Sequence, residues 1–215
     1  MFRDRVEAGR RLAARLRDMS WDATDEPVVV LGLPRGGVPV AAEVAVGLDA
    51  PLDVCVVRKL GVPGHEELAL GAIATGGLRV LNADIVDELG ITAATVDAVA
   101  AREAAEQDRR ERAYRLGRPA VPVAGRRVIL VDDGIATGAS MRAAIEAMGA
   151  LGAAATVVAV PVAAPATVVA LGALVDDLVC LVEPPSFSAV GTWYEQFTQT
   201  TDDEVRAALA TARRE

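Results

Sequence analysis

Val128-Ile129-Leu130-Val131-Asp132-Asp133-Gly134-Ile135-Ala136-Thr137-Gly138-Ala139-Ser140 is the most informative stretch of this 215-residue sequence. Its four leading apolar residues read as a buried strand. Two adjacent carboxylates stand where the strand ends. The turn from Ala136 to Ser140 supplies small residues, two hydroxyls and successive backbone N–H groups, and a helix over Met141 to Leu151 follows. Together they make a nest for a phosphate. Carboxylates beside such a cradle hold sugar hydroxyls or a metal rather than the phosphate itself. The alternative, a strand-end acidic pair ligating Mg²⁺ in a P-loop nucleotidase, requires G-x-x-x-x-G-K-[ST], and the chain contains none.

Working outward, Val28 to Leu31 is a second apolar strand that runs into Gly32-Leu33-Pro34-Arg35-Gly36-Gly37. A helix over Val38 to Leu48 and a strand over Leu52 to Val57 complete a βαβ unit. The glycine spacing is not the G-x-G-x-x-G of dinucleotide-binding folds. Gly36 and Gly37 permit close backbone approach, and Arg35 can meet an anion. Downstream, strands at Ala155 to Val160 and Leu178 to Val182 flank a helix over Pro165 to Leu174. The pattern is α/β: a Rossmann-like parallel sheet with helices on both faces and ligands at the carboxyl ends of its strands. An amphipathic helix opens the chain over residues 3 to 18, with Val6, Leu12 and Leu16 on its apolar side. Residues 82 to 115 read as two helices, the second opened by Thr92. Between them and the βαβ unit, residues 60 to 80 carry five glycines and read as a long loop or loose hairpin of the functional kind.

Two segments stand out chemically. The sole lysine, Lys59, and the sole histidine, His65, both fall in Arg58-Lys59-Leu60-Gly61-Val62-Pro63-Gly64-His65-Glu66-Glu67, at the start of the glycine-rich stretch. Beyond Glu183 the chain turns aromatic, with Phe187, Trp193, Tyr194 and Phe197 in a sequence that is 3% aromatic overall. These rings serve either a ligand or the core.

The formal charge of −8 excludes nucleic-acid binding through the overall field. The Arg-rich run from Arg102 to Arg115 alternates with Glu and Asp at helical spacing and reads as a solvated helix face. Cys55 and Cys180 sit in apolar runs as small buried hydrophobes, which fits a reducing compartment. No signal-peptide core or membrane-spanning run is read, so a cytoplasmic location without nucleic-acid or membrane partners is expected.

The stretch from Val128 to Ser140 resembles the PRPP-binding signature of the type I phosphoribosyltransferases, PRPP being 5-phosphoribosyl 1-pyrophosphate. The resemblance covers residues 27 to 195. It implies that Asp132 and Asp133 bind the ribose 2′ and 3′ hydroxyls, and that Ala136, Thr137, Gly138, Ala139 and Ser140 bind the 5′-phosphate. Arg35, Gly36 and Gly37 resemble the family's pyrophosphate loop. Arg58 and Lys59 are similar to the entrance of the adenine enzymes' lid, and His65, Glu66 and Glu67 would ride on it. The aromatic tail resembles the hood, where Phe187 or Trp193 stacks on a base. The implied organisation is an N-terminal helix (1–25), a core (26–182) with a flexible lid loop (59–80) and a helical insert (82–115), and a small C-terminal hood with a terminal helix (183–215). The implied catalytic set is Lys59, Arg35 and Asp133, with Mg²⁺ carried by PRPP near Asp132 and Asp133, a nucleobase as acceptor, purine salvage as setting, and a homodimer as the family's common state. Alanine at 136 departs from the hypoxanthine enzymes, which place a proton-exchanging Asp there, and matches the adenine enzymes. A non-catalytic PRPP- or nucleotide-binding regulator, or a hydrolase of a phosphorylated sugar, would keep the same phosphate loop.

Overall fold

The computed structural model describes residues 1–19 and 26–211, with Glu66 and Glu67 described by their backbone alone. Residues 20–25 and 212–215, at the edges of the expected N-terminal and C-terminal units, lie outside the described residues. Five parallel strands, β1 (Val28–Gly32), β2 (Leu52–Val54), β6 (Arg127–Val131), β7 (Ala155–Val162) and β8 (Asp177–Val182), form a sheet in the order β2-β1-β6-β7-β8. Strand residues alternate between its faces, as the pleat demands. Val30, Ile129, Val131, Val157 and Ala159 bury one way, against helices α1 (Arg5–Arg17), α2 (Gly37–Leu48) and α7 (Asp202–Thr211). Val29, Leu31, Val128, Leu130, Val158 and Val160 bury the other way, against α5 (Ala139–Ala150) and α6 (Pro165–Gly172). The strands read in the sequence have their counterparts in this sheet, except that the run from Leu52 stops at Val54 and Val57 begins a strand of a second sheet, and helices cover both faces.

The glycine-rich stretch is more ordered than a long loop. It forms an antiparallel sheet of β3 (Val57–Val62), β4 (His65–Ala74) and β5 (Leu78–Leu81). The apolar pieces between its glycines have a partner that the sequence pattern does not reveal. Leu60, Val62, Leu70 and Ile73 bury against Val96, Val99 and Ala100 of α4 (Ala93–Arg115). Gly71 lets β5 approach, because a Cβ there would stand 2.2 Å from the Val80 carbonyl oxygen. The expected two-helix insert is α3 (Ala83–Glu88) and α4, and Thr92 caps α4 by accepting from the Thr95 N–H at 3.2 Å.

Candidate active site

The sheet order places β1 and β6 side by side while their following helices, α2 and α5, leave to opposite faces. That is the switch point at which doubly wound sheets form a crevice beyond the strand ends. The two loops that the sequence singled out therefore meet there. The Leu33 N–H donates to the Val131 carbonyl at 2.9 Å. The peptide joining Pro34 to Arg35 is cis. Gly36 and Gly37 fit against the acidic pair itself, since a Cβ on Gly36 would lie 2.0 Å from Asp133 Oδ2 and one on Gly37 would lie 2.8 Å from Asp132 Cα. The close backbone approach that the two glycines permit is made here to the neighbouring loop.

Asp132 and Asp133 sit in little water. Burial, and then the charge of Asp133, hold the Asp132 carboxyl well above the ordinary carboxylate range. Burial also raises Asp133, with Arg5 opposing. Arg5, at the start of α1, donates from Nε to Asp133 Oδ2 at 2.8 Å. Tyr194 donates its hydroxyl to the Asp133 carbonyl at 2.6 Å, and its ring packs on Phe2 and Phe197. The N-terminal segment is stitched to the aromatic tail, with the Phe2 N–H donating to the Trp193 carbonyl at 2.8 Å and the Glu195 N–H to the Phe2 carbonyl at 2.9 Å. Both chain ends thus brace the acidic pair. Arg5 and Tyr194 were not marked as site residues by their local sequence, because each contact spans a long separation.

The turn from Ala136 to Ser140 leads into α5 through a glycine. Gly138, at φ +77°, is the N-cap of α5, a left-handed conformation that favours glycine. A Cβ there would also stand 2.8 Å from Thr167. Thr167 Oγ1 donates to the Ala136 carbonyl at 2.6 Å and fixes the turn from below. The first-turn N–H groups of a helix have no intrahelical partner, so those of α5 are available to an anion. Lys59 on β3 shares a cleft of about 520 Å³ with Thr137, Ala139, Ser140 and Arg142. Asp132, Asp133 and Arg35 are not among its walls.

Other marked residues are placed differently. Arg58 points away from Lys59, as neighbours on a strand do, and pairs with Glu103 of α4 at 2.5 Å. Phe187 and Trp193 pack, partly buried, on the cluster of Phe2, Val162 and Tyr194. The Trp193 Nε1 is buried without a hydrogen-bond partner among the described residues. Val190 closes on Gly134, where a Cβ would lie 2.6 Å from its Cγ1. His65 is exposed at the head of β4. The Arg-rich face of α4 is solvated except at its end, where Arg115 is buried and donates to Asp53 at 3.0 and 3.1 Å. Cys55 and Cys180 are free thiols, pushed up to about 12 and about 11 by burial.

A five-stranded parallel sheet with helices on both faces is the architecture of the type I phosphoribosyltransferases. The chain belongs to the phosphoribosyl transferase domain family, whose model matches residues 3–200, a family of transferase enzymes. It is 52% identical over its full length to a Mycobacterium tuberculosis protein provisionally named a phosphoribosyl transferase. It spans 48% of that relative's length, about half. A crystal structure of a Thermus thermophilus protein is 45% identical, with a TM-score of 0.83 over 98% of each chain. An Aquifex aeolicus protein structure at 12% identity and a TM-score of 0.50, covering 95% of this chain and 84% of that one, shares the fold alone.

Proposed function

We propose that this chain transfers the 5-phosphoribosyl group of PRPP to a nitrogen acceptor, a nucleobase, with release of pyrophosphate and inversion at C1′. The observation that carries this reading is the juxtaposition at one switch point of the Asp132–Asp133 pair, the Gly138 nest and the Arg35–Gly37 loop. One oxygen-rich pair for a vicinal diol and two separate anion-binding loops match a sugar phosphorylated at both ends.

In this reading Asp132 and Asp133 accept hydrogen bonds from the ribose 2′ and 3′ hydroxyls, and the N–H groups from Ala136 to Ser140 hold the 5′-phosphate. Positive charge develops on the ribose ring as its bond to pyrophosphate breaks, so the protein fixes the sugar and stabilises the departing anion. Arg35 and Lys59 supply cationic charge to that anion. Among the described residues no three His, Cys, Asp or Glu side chains gather as a metal site. The two strand-end carboxylates do fit Mg²⁺ as it is held in phosphate sites, by one or two carboxylates together with substrate oxygens. Such an ion, arriving with PRPP, would neutralise the leaving group. In this reading Phe187 and Trp193, which pack with Val190 on the Phe2–Tyr194 cluster, are the rings of the hood for the acceptor. Ala136 offers no proton, so the acceptor resembles adenine or another base needing no carboxylate there; a purine would place the chain in purine salvage. The proposed site of action is the cytoplasm; no helix among the described residues is long and apolar enough to cross a membrane.

The test is pyrophosphate release from PRPP and Mg²⁺, alone and with each common nucleobase. Release with one base establishes the transfer and names the acceptor. Ribose 5-phosphate formed without added base would make the chain a hydrolase, and PRPP binding with no release under any base would make it a regulator.

A further inference from the structure

Arg5 engages the acidic pair from outside the sheet, and the partners it uses define how the pair meets a ligand. Its Nε donates to Asp133 Oδ2 at 2.8 Å, and a terminal nitrogen, NH2, lies 2.8 Å from the same oxygen. The other, NH1, donates to the Thr198 carbonyl at 2.8 Å. The guanidinium lies over Phe197, with Cζ 4.0 Å from the ring centroid. The side chains of Arg5 and Asp133 are 12% and 14% exposed, so the pair is poorly screened by water.

Asp132 Oδ1 accepts the Asp133 N–H at 2.8 Å. Asp133 Oδ2 is taken by Arg5. One oxygen of each carboxylate is therefore committed to the protein. The other two, Asp132 Oδ2 and Asp133 Oδ1, make no hydrogen bond outside the pair among the described residues. Two carboxylate oxygens on adjacent residues are what a vicinal diol needs.

We propose that Arg5 is a positioning residue for sugar binding: by holding Asp133 Oδ2 it fixes the carboxylate in rotation, so that one oxygen of each Asp is left for the two hydroxyls of a phosphorylated pentose. The proposal rests on the PRPP reading and adds to it a residue from the N-terminal helix. The neighbours of Asp133 leave this geometry in place. The Tyr194 hydroxyl meets the Asp133 carbonyl rather than its carboxylate, and Gly36 brings no side chain to the carboxylate it faces.

The experiment uses the full chain, with Arg5→Met and Arg5→Lys variants of confirmed fold. PRPP–Mg²⁺ and pyrophosphate–Mg²⁺ affinities are measured by calorimetry. Arg5→Met is expected to weaken PRPP by about tenfold, the loss expected for one charge-assisted contact. Pyrophosphate, which has no hydroxyl pair, should stay within about twofold on the same argument. Arg5→Lys should restore the charge and part of the PRPP affinity, and it carries the test if Arg5→Met does not fold. Unchanged PRPP affinity in Arg5→Met, or equal losses for both ligands, overturns the role of Arg5 and leaves the PRPP reading standing. A wild-type chain that binds pyrophosphate but not PRPP overturns the sugar reading itself.

Discussion

Replacing Gly36 with alanine sets a backbone gain against a packing loss at the centre of the site. Gly36 has φ −62° and ψ −33°, a conformation open to any residue. On backbone grounds alone the substitution stabilises by about 0.4–1 kcal/mol, because it restricts the unfolded chain. The new Cβ, however, would stand 2.0 Å from Asp133 Oδ2 and 2.7 Å from its Cγ. The carboxylate must retreat by roughly 1 Å or more to reach ordinary contact. The oxygen that must move, Oδ2, is the one that Arg5 holds at 2.8 Å, and Tyr194 holds the residue's backbone, so the retreat disturbs the ion pair. Overpacking of this kind costs about 1–3 kcal/mol. The net is a loss of about 1–2 kcal/mol, which lowers Tm by roughly 2–8 °C in a chain of this size. The assay is thermal and urea unfolding of Gly36→Ala, Asp133→Ala and the double variant. With the carboxylate gone the alanine has nothing to strike, so Gly36→Ala becomes neutral or stabilising in the Asp133→Ala background, a coupling of about 1–3 kcal/mol. Stabilisation by Gly36→Ala alone, or the same effect in both backgrounds, refutes the packing argument.

Asp132→Asn should raise stability while it removes PRPP binding. The folded state holds protons on the pair at pH values where the unfolded chain has released them, so the pair's contribution is present at acid pH and lost as pH rises through its raised pKa values. The Tm gain is therefore larger at pH 8 than at pH 4, and the reverse order in a pH series of melts contradicts the assigned burial. Lys59→Ala should lower kcat for pyrophosphate release by more than it weakens PRPP binding; equal losses in steady-state and calorimetric measurements argue against a role in the transition state. Asp53→Asn leaves the buried Arg115 with Glu111 as its one carboxylate partner among the described residues and should cost about 3 kcal/mol in urea unfolding, the typical loss on breaking a buried pair. A change below about 0.5 kcal/mol, the scale of a surface substitution, refutes the buried pairing.

The junctions after β1 and β6 were legible because each is local: an apolar run, a glycine turn and a helix start within a short stretch of chain. The sheet followed from their repetition. The site beyond those loops was not local. Arg5 reaches Asp133 across 128 positions and Tyr194 reaches it across 61. In the sequence Arg5 is one of several arginines on an amphipathic helix, and no periodicity separates it from those that face water. Arg58 and Lys59 looked alike as loop residues. Pairing of β3 with β4 turns them to opposite sides, Arg58 to Glu103 and Lys59 to the cleft. The same pairing orders the glycine-rich stretch, whose apolar residues alternate only weakly until α4 covers them. The aromatic tail was readable as a cluster. Which of its rings packs on Phe2 depends on the N-terminal residues folding back to meet it.

Calorimetric titration of PRPP and Mg²⁺ into the wild-type chain and into Asp133→Ala tests the central claim most directly. The account predicts wild-type binding with a Kd within the substrate range of about 1 μM to 1 mM, and its loss in Asp133→Ala with the far-UV circular dichroism unchanged. Equal affinity in the two proteins, or no binding by the wild type, would contradict the placement of the sugar on the Asp132–Asp133 pair.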